Sequence, residues 1–142
     1  MNLVFVEGGS RYHREIAHRT VAFCIDELMP KSTKLEIEVK LTSIKNTDAV
    51  GFTMMADDRY TYELEIDKDQ TLREFISTIC HEMVHVKQYY RNQMDDRAKE
   101  GFLRWNKEKI SDKTPYSELP WELEAYELQY ELSDKIWLQN II

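Results

Sequence analysis

Cysteine, glycine and proline are scarce in this sequence. Its 142 residues include 2 Cys, 4 Gly and 3 Pro. Two cysteines do not make a disulfide framework, so Cys24 and Cys80 are predicted to be small buried apolar groups within helices. The low glycine and proline content argues against disorder and long flexible linkers. A length of 142 residues predicts one domain with its own hydrophobic core, spanning residues 1–142.

Basic residues and long apolar runs are also lacking. The chain has 19 Lys and Arg against 26 Asp and Glu, which gives a net charge of −7. Nucleic-acid binding requires a basic surface, so we expect no nucleic-acid partner. No run approaches the roughly 20 apolar residues of a membrane span, and no signal-peptide pattern is present at residues 1–15. We expect a cytoplasmic protein without membrane contact, and these features leave its oligomeric state open.

Hydrophobic spacing divides the first half of the chain into alternating elements. A short strand is predicted over 2–6, and apolar residues at three- and four-residue steps predict a helix over 11–29. Alternation of apolar and polar residues predicts a strand over 34–41. Two further strands, over 49–55 and 60–66, are expected to form an antiparallel hairpin.

The second half is expected to contain two helices separated by an insert. Thr71 and Glu74 have the spacing of a capping box at the start of a helix that runs to about residue 92. Residues 93–117 are predicted to be charged and irregular, with Phe102 and Trp105 as anchors. Pro120 is expected in the first turn of a last helix. This order predicts an α+β domain in which the helices pack on a small, mostly antiparallel sheet.

Histidine is scarce as well, yet two of the 4 histidines lie close together in the segment CHEMVH at residues 80–85. Four residues turn a helix by about 400°, so His81 and His85 share one face and can bind one metal ion. Glu82 can then reach a water on that metal. This pattern is typical of zinc hydrolases, in which the glutamate accepts the water's proton and passes it to the leaving amine.

A catalytic zinc site also needs a third protein ligand. No histidine follows His85, and His13 and His18 on the first predicted helix are expected to be solvated or capping residues. A carboxylate is the remaining choice, and the last helix offers Glu122 and Glu124 in the segment PWELEAY. These two positions are about 200° apart on a helix, so only one of them can bind the metal.

These residues resemble a known family. The segment HEMVHVKQ at 81–88 followed by PWELEA at 120–125 is similar to the gluzincins, the thermolysin-like clan of zinc peptidases. More narrowly, it is similar to their small single-domain phage and bacterial forms, often labelled SprT-like or putative metallopeptidases. The resemblance covers residues 71–91 and 119–127, with Trp105 as a further landmark. It implies a zincin-like fold, Zn²⁺ held by His81, His85 and Glu122, Glu82 as catalytic base, and Gln88 as a residue that supports the ligands.

The chain also departs from the family pattern. Many gluzincins carry an aspartate four residues after the ligating glutamate, and this chain has Tyr126 there. The third histidine of true SprT-type proteases is absent, so their DNA-linked function is not implied. Larger members have a C-terminal domain that supplies a Tyr or His to the oxyanion, and we expect no equivalent of it within these 142 residues. Tyr116 and Tyr126 are candidates for that role, although a buried structural tyrosine is the expected role of each.

Three functions are compatible with these observations. The first is a zinc-dependent metallopeptidase that binds an extended peptide or protein substrate along an edge strand of the sheet. The second is a non-catalytic zinc protein with a closed site, for which Cys24 is the best candidate fourth ligand. The third is an acidic interaction module without metal, whose binding face is the tyrosine-rich hairpin with Met54 and Met55.

Overall fold

A computed structural model describes residues 1–99 and 101–142. A short 3₁₀ turn, Tyr116–Glu118, precedes the last helix. No helix among the described residues is long and apolar enough to cross a membrane. The strands and helices follow the order β1 (Leu3–Gly8), α1 (Arg11–Leu28), β2 (Glu36–Thr42), β3 (Gly51–Met55), β4 (Thr61–Asp67), α2 (Leu72–Tyr90), β5 (Met94–Lys99), β6 (Phe102–Trp105), β7 (Glu108–Ser111) and α3 (Pro120–Leu138).

The main sheet is mixed, and the expectation of a mostly antiparallel sheet is wrong for it. Its strand order is β1-β2-β4-β3. Strands β1, β2 and β4 run parallel, and only β3 is antiparallel, to β4. The crossover through α1 makes β1 and β2 parallel, as is usual for a strand–helix–strand unit. The β3–β4 hairpin is present as predicted, but β4 rather than β3 lies beside β2, which leaves β3 on the sheet edge.

Two helices, α1 and α2, lie against one face of this sheet. Alternating residues of β2 and β4 point into the core, where Ile37, Val39, Leu64 and Ile66 are fully or almost fully buried. Helices α1 and α2 pack on the sheet, and α3 packs along α2. The α+β class is confirmed, and the packing of α3 on α2 brings the last helix to the histidines of α2.

The caps of α1 and α2 explain where these helices begin. The hydroxyl of Thr71 accepts a hydrogen bond from the backbone N–H of Glu74, which satisfies one free donor of the first turn of α2. Ser10 does the same for α1 through the backbone N–H of His13. Helix α3 has no such side-chain cap; Pro120 occupies its first position, where no N–H is needed.

The insert differs from the expectation of an irregular segment. Strands β5, β6 and β7 form an antiparallel sheet of their own, although residue 100 lies outside the described residues. Trp105 anchors it as predicted, with its ring 6.3 Å from that of Trp121 on α3. Phe102 is 43% exposed and lies under the Lys109 side chain, so its predicted anchoring role is wrong. The alternation in this segment is too short and too polar to stand out in the sequence.

Candidate metal site

Two imidazoles from α2 meet a carboxylate from α3 in a buried cluster. His81 and His85 lie one turn apart on the same face of α2, as their spacing predicts. Nε2 of His81 is 3.0 Å from Oε1 of Glu122, and Nε2 of His85 is 3.2 Å from Oε2 of the same carboxylate. All three side chains are buried. Their ligand atoms lie within 4.8 Å of one another.

The spacing of these atoms fits a shared metal ion. Two donors bound to one zinc at 2.0–2.1 Å with tetrahedral angles lie about 3.3 Å apart. The imidazole–carboxylate distances of 3.0 and 3.2 Å are close to that value. Two histidines and one carboxylate also match the ligand set of a catalytic zinc site, which keeps one position open. The three residues can therefore hold a metal ion, and their donor types suit zinc.

Two glutamines contact the histidines at Nδ1, the ring nitrogen that does not face Glu122. Nδ1 of His85 lies 2.8 Å from Oε1 of Gln88, and Nδ1 of His81 lies 2.7 Å from Oε1 of Gln129. The Gln88 amide is fixed in this orientation because its Nε2 donates to the Trp121 carbonyl. An amide oxygen only accepts, so each Nδ1 donates its proton to a glutamine, and the Nε2 atoms are the ring atoms that would bind a metal ion.

The Glu122 carboxylate and the imidazoles change one another's pKa. Burial raises the pKa of Glu122, but hydrogen bonds from His81 and His85 outweigh burial and lower that pKa to about 2. Burial lowers the pKa of His85, but its hydrogen bond to the Glu122 carboxylate outweighs burial and raises it. The carboxylate is thus ionised at neutral pH, which is the form that binds a metal.

Glu124, the alternative third ligand, points away from the histidines. Its Oε1 accepts hydrogen bonds from Lys87 Nζ at 2.8 Å and from Gln88 Nε2 at 3.1 Å. Glu124 therefore neutralises Lys87 and supports the Gln88 amide. Among the described residues, Glu122 is the carboxylate that lies against both imidazoles.

Glu82, the predicted catalytic base, lies where α2 packs against β3. Its side chain is 6% exposed, and its Oε1 accepts a hydrogen bond of 2.7 Å from the Thr53 hydroxyl. The backbone of Gly51 passes so close that a Cβ there would lie 2.9 Å from Thr78 Cγ2 and 3.2 Å from Glu82 Oε2. Glycine at this position lets β3 approach α2, and a side chain there would crowd Oε2 of Glu82, the oxygen that does not bond Thr53.

Two tyrosines complete the site, and neither is buried. Tyr116 is 59% exposed, yet its hydroxyl donates a 2.8 Å hydrogen bond to Oε1 of Glu122. Partial burial and the neighbouring carboxylate raise the pKa of Tyr116, so it remains a neutral donor. The ring of Tyr126 packs edge-on against His81 at 4.7 Å. The expected role of buried structural tyrosine is therefore wrong for both residues.

The remaining histidines and cysteines lie elsewhere. His13 packs edge-on against Phe75, and His18 is exposed on α1. Cys24 and Cys80 are buried as predicted, with their sulfur atoms 3.8 Å apart, and neither belongs to a metal-binding group among the described residues. A hydrogen bond to Cys80 and burial raise the pKa of Cys24, which keeps it a thiol.

The cluster opens into a cleft of about 570 Å³ between β3, β5 and α3. His81, Glu82, His85 and Glu122 line its floor. Comparisons with protein-family models, curated protein sequences and solved structures gave no match to this chain.

The sequence-based interpretation missed Thr53 and Gln129, and it named Tyr116 as a candidate for the oxyanion role without its hydrogen bond to Glu122. Gln129 lies seven residues after Glu122, two helical turns along the same face of α3, so helical spacing could have found it. Nothing in the local sequence marks Thr53 or the bond of Tyr116 to Glu122, since each residue reaches the site from another element.

Proposed function

We propose that this chain is a zinc-dependent metallopeptidase with a zincin-like fold. The observation that carries the proposal is the convergence of His81, His85 and Glu122 beside the carboxylate of Glu82 on the floor of an open cleft. Buried polar residues that line a cleft and hold a perturbed pKa favour a catalytic site over a purely structural one. Zinc bound here would lower the pKa of a coordinated water to about 7 and polarise a carbonyl group.

Glu82 is the general base and then the general acid of this mechanism. Its carboxylate takes a proton from the attacking water and returns it to the leaving amine as the C–N bond breaks. The Thr53 hydroxyl holds one oxygen of Glu82 in place at 2.7 Å, so the other oxygen is available to the water. Tyr116 is the candidate hydrogen-bond donor to the oxyanion that develops on the peptide carbonyl, and its single hydroxyl proton, which bonds Glu122 in this structure, would turn to the substrate for that purpose.

The free edge of β3 supports binding of an extended peptide. The Val50 carbonyl accepts a hydrogen bond from β4, and the Ala56 N–H donates one to it. Because pairing alternates along an antiparallel strand, the backbone groups of Gly51, Thr53 and Met55 point away from β4. A peptide substrate can pair with these groups as an added strand, with its backbone lying in the cleft.

A closed structural zinc site has less support. Such a site requires four protein ligands, and in the described part of the chain three donors converge. Cys24, the candidate fourth ligand, contacts Cys80 instead. An interaction module without metal does not explain why two imidazoles and a carboxylate are buried together, although burying such polar groups costs free energy.

The deciding experiment compares the wild-type protein with Glu82→Gln. We expect both to hold about one zinc per chain by mass spectrometry, and only the wild type to hydrolyse casein or a mixed peptide library. Zinc in both proteins with no hydrolysis by either would support the structural site. Absence of zinc from both, even after zinc is added back, would leave the interaction module.

A further inference from the structure

We propose that the cleft selects peptides with lysine or arginine on both sides of the cleaved bond, through Asp48 and Asp96. This inference rests on the proposed peptidase function. Asp48 precedes β3, Asp96 lies on β5, and both line the same cleft as the metal cluster.

The charge of the cleft is the first argument. Its ionisable lining residues, apart from the two histidines and the tyrosines, are all acids, namely Asp48, Glu82, Asp96 and Glu122. No lysine or arginine is among the described residues that line it. A zinc ion would offset two of the four negative charges, and the two that remain favour cationic over anionic substrates.

The positions of the two aspartates are the second argument. Asp48 precedes Gly51, the first residue of β3, which approaches Thr78 of α2. Thr78 precedes the ligand histidines along α2. Asp96 accepts a 2.7 Å hydrogen bond from the hydroxyl of Tyr89, and Tyr89 follows those histidines along α2. Thr78 and Tyr89 are separated by roughly 16 Å along the helix, which an extended peptide spans with about five residues. The aspartates therefore face opposite ends of a bound peptide.

The cleft can also contact the apolar part of a lysine or arginine side chain. Phe52, Trp121 and Tyr126 supply aromatic surface along the cleft. The methylene groups of a lysine or arginine can lie on such surface while the cationic end reaches the rim. Both aspartates are exposed, so each contact is expected to be modest and sensitive to salt.

Digestion of a randomised decapeptide library by the wild-type protein tests the preference directly. Mass spectrometry of the products should show lysine and arginine enriched about two- to fivefold on each side of the cleaved bonds, with aspartate and glutamate depleted. Cleavage without any preference for basic residues would overturn the inference and leave the peptidase intact.

Single variants assign the two positions. Asp48→Asn and Asp96→Asn should each reduce the preference for basic residues on one side of the bond, and on opposite sides. Asp134→Asn changes an exposed aspartate of α3 outside the cleft lining and should leave both preferences unchanged. A loss of preference on the same side in both variants would contradict the proposed placement.

A binding assay keeps the inference testable without hydrolysis. In the zinc-loaded Glu82→Gln protein, fluorescence anisotropy should show a labelled decapeptide with two lysines binding several-fold more tightly than its glutamine counterpart, and less so at high salt. Equal binding of the two peptides would overturn the charge selection. Selective binding combined with an inactive wild-type protein would instead reject the peptidase function alone.

Discussion

The amide oxygen of Gln129 lies 2.7 Å from Nδ1 of His81, and the two residues are buried together at the contact between α2 and α3. This bond fixes the ring and the tautomer of His81, as Gln88 does for His85. The support for His81 comes from α3, at a position seven residues after Glu122. Each histidine thus has its own amide partner, and both partners accept from Nδ1.

Removal of the Gln129 amide should weaken metal binding. We expect Gln129→Ala to lower zinc affinity by about 10- to 100-fold, because the His81 ring loses the hydrogen bond that orients it. Competition with a zinc-binding dye would measure the change. Gln139→Ala, at the exposed end of α3, is the matched control and should bind zinc as the wild type does. Unchanged affinity in Gln129→Ala would show that His81 needs no such support.

The two glutamates of α3 should behave differently when removed. Glu122→Ala should lose stoichiometric zinc because a ligand is gone, while Glu124→Ala should keep it. The second variant should still be somewhat less stable, since Lys87 loses its partner in a half-buried ion pair. Metal content by mass spectrometry and thermal unfolding in chelator would separate these effects. Zinc loss in Glu124→Ala alone would require α3 to rotate in the metal-bound protein.

Tyr116 should act in catalysis rather than in metal binding. Tyr116→Phe removes the hydroxyl beside Glu122, and we expect kcat to fall by roughly 100-fold with KM and zinc content nearly unchanged. Tyr126→Phe is the matched control, because the ring of Tyr126 rather than a hydroxyl hydrogen bond makes its contact with His81. Equal activity of Tyr116→Phe and wild type would assign the oxyanion contact to another donor.

Zinc affinity should depend on pH through His85. Its pKa is raised in the metal-free protein because the hydrogen bond to Glu122 outweighs burial, and a metal can bind only the neutral ring. Affinity should therefore rise with pH until the pH exceeds this raised pKa, which lies above the ordinary value of 6.5. Titration with a competing chelator between pH 5.5 and 8.5 would show the slope, and a flat profile across that range would contradict it.

The same groups should give the metal-free protein opposite pH dependences of stability. The raised pKa of His85 stabilises the folded state below pH 6.5, and this contribution is lost as the pH rises through the raised value. The lowered pKa of Glu122 stabilises the folded state above pH 4.5, and this contribution is lost as the pH falls toward 2. Urea unfolding in chelator at several pH values would measure both, with His85→Ala and Glu122→Gln as controls.

Much of the fold could be predicted from the chain because its elements have strong local signals. The apolar spacing of α1, the cap at Thr71 and the alternation of β4 all correspond to observed elements. Strand order could not be predicted, because it depends on where the connection at 43–50 carries β3 rather than on the pattern of any strand. The insert was missed for a related reason, since β6 and β7 have only four residues each.

For the site, the sequence by itself determined the pairing of His81 with His85 and the candidacy of Glu82, because helical geometry fixes neighbours three and four residues apart. It also limited the third ligand to two glutamates, since no histidine follows His85. Only the packing of α3 against α2 decided that Glu122 faces the imidazoles while Glu124 faces Lys87. Contacts with Thr53, Gln129 and Tyr116 were likewise decided by tertiary structure, because they join elements whose relative placement depends on burial of the whole core rather than on local spacing.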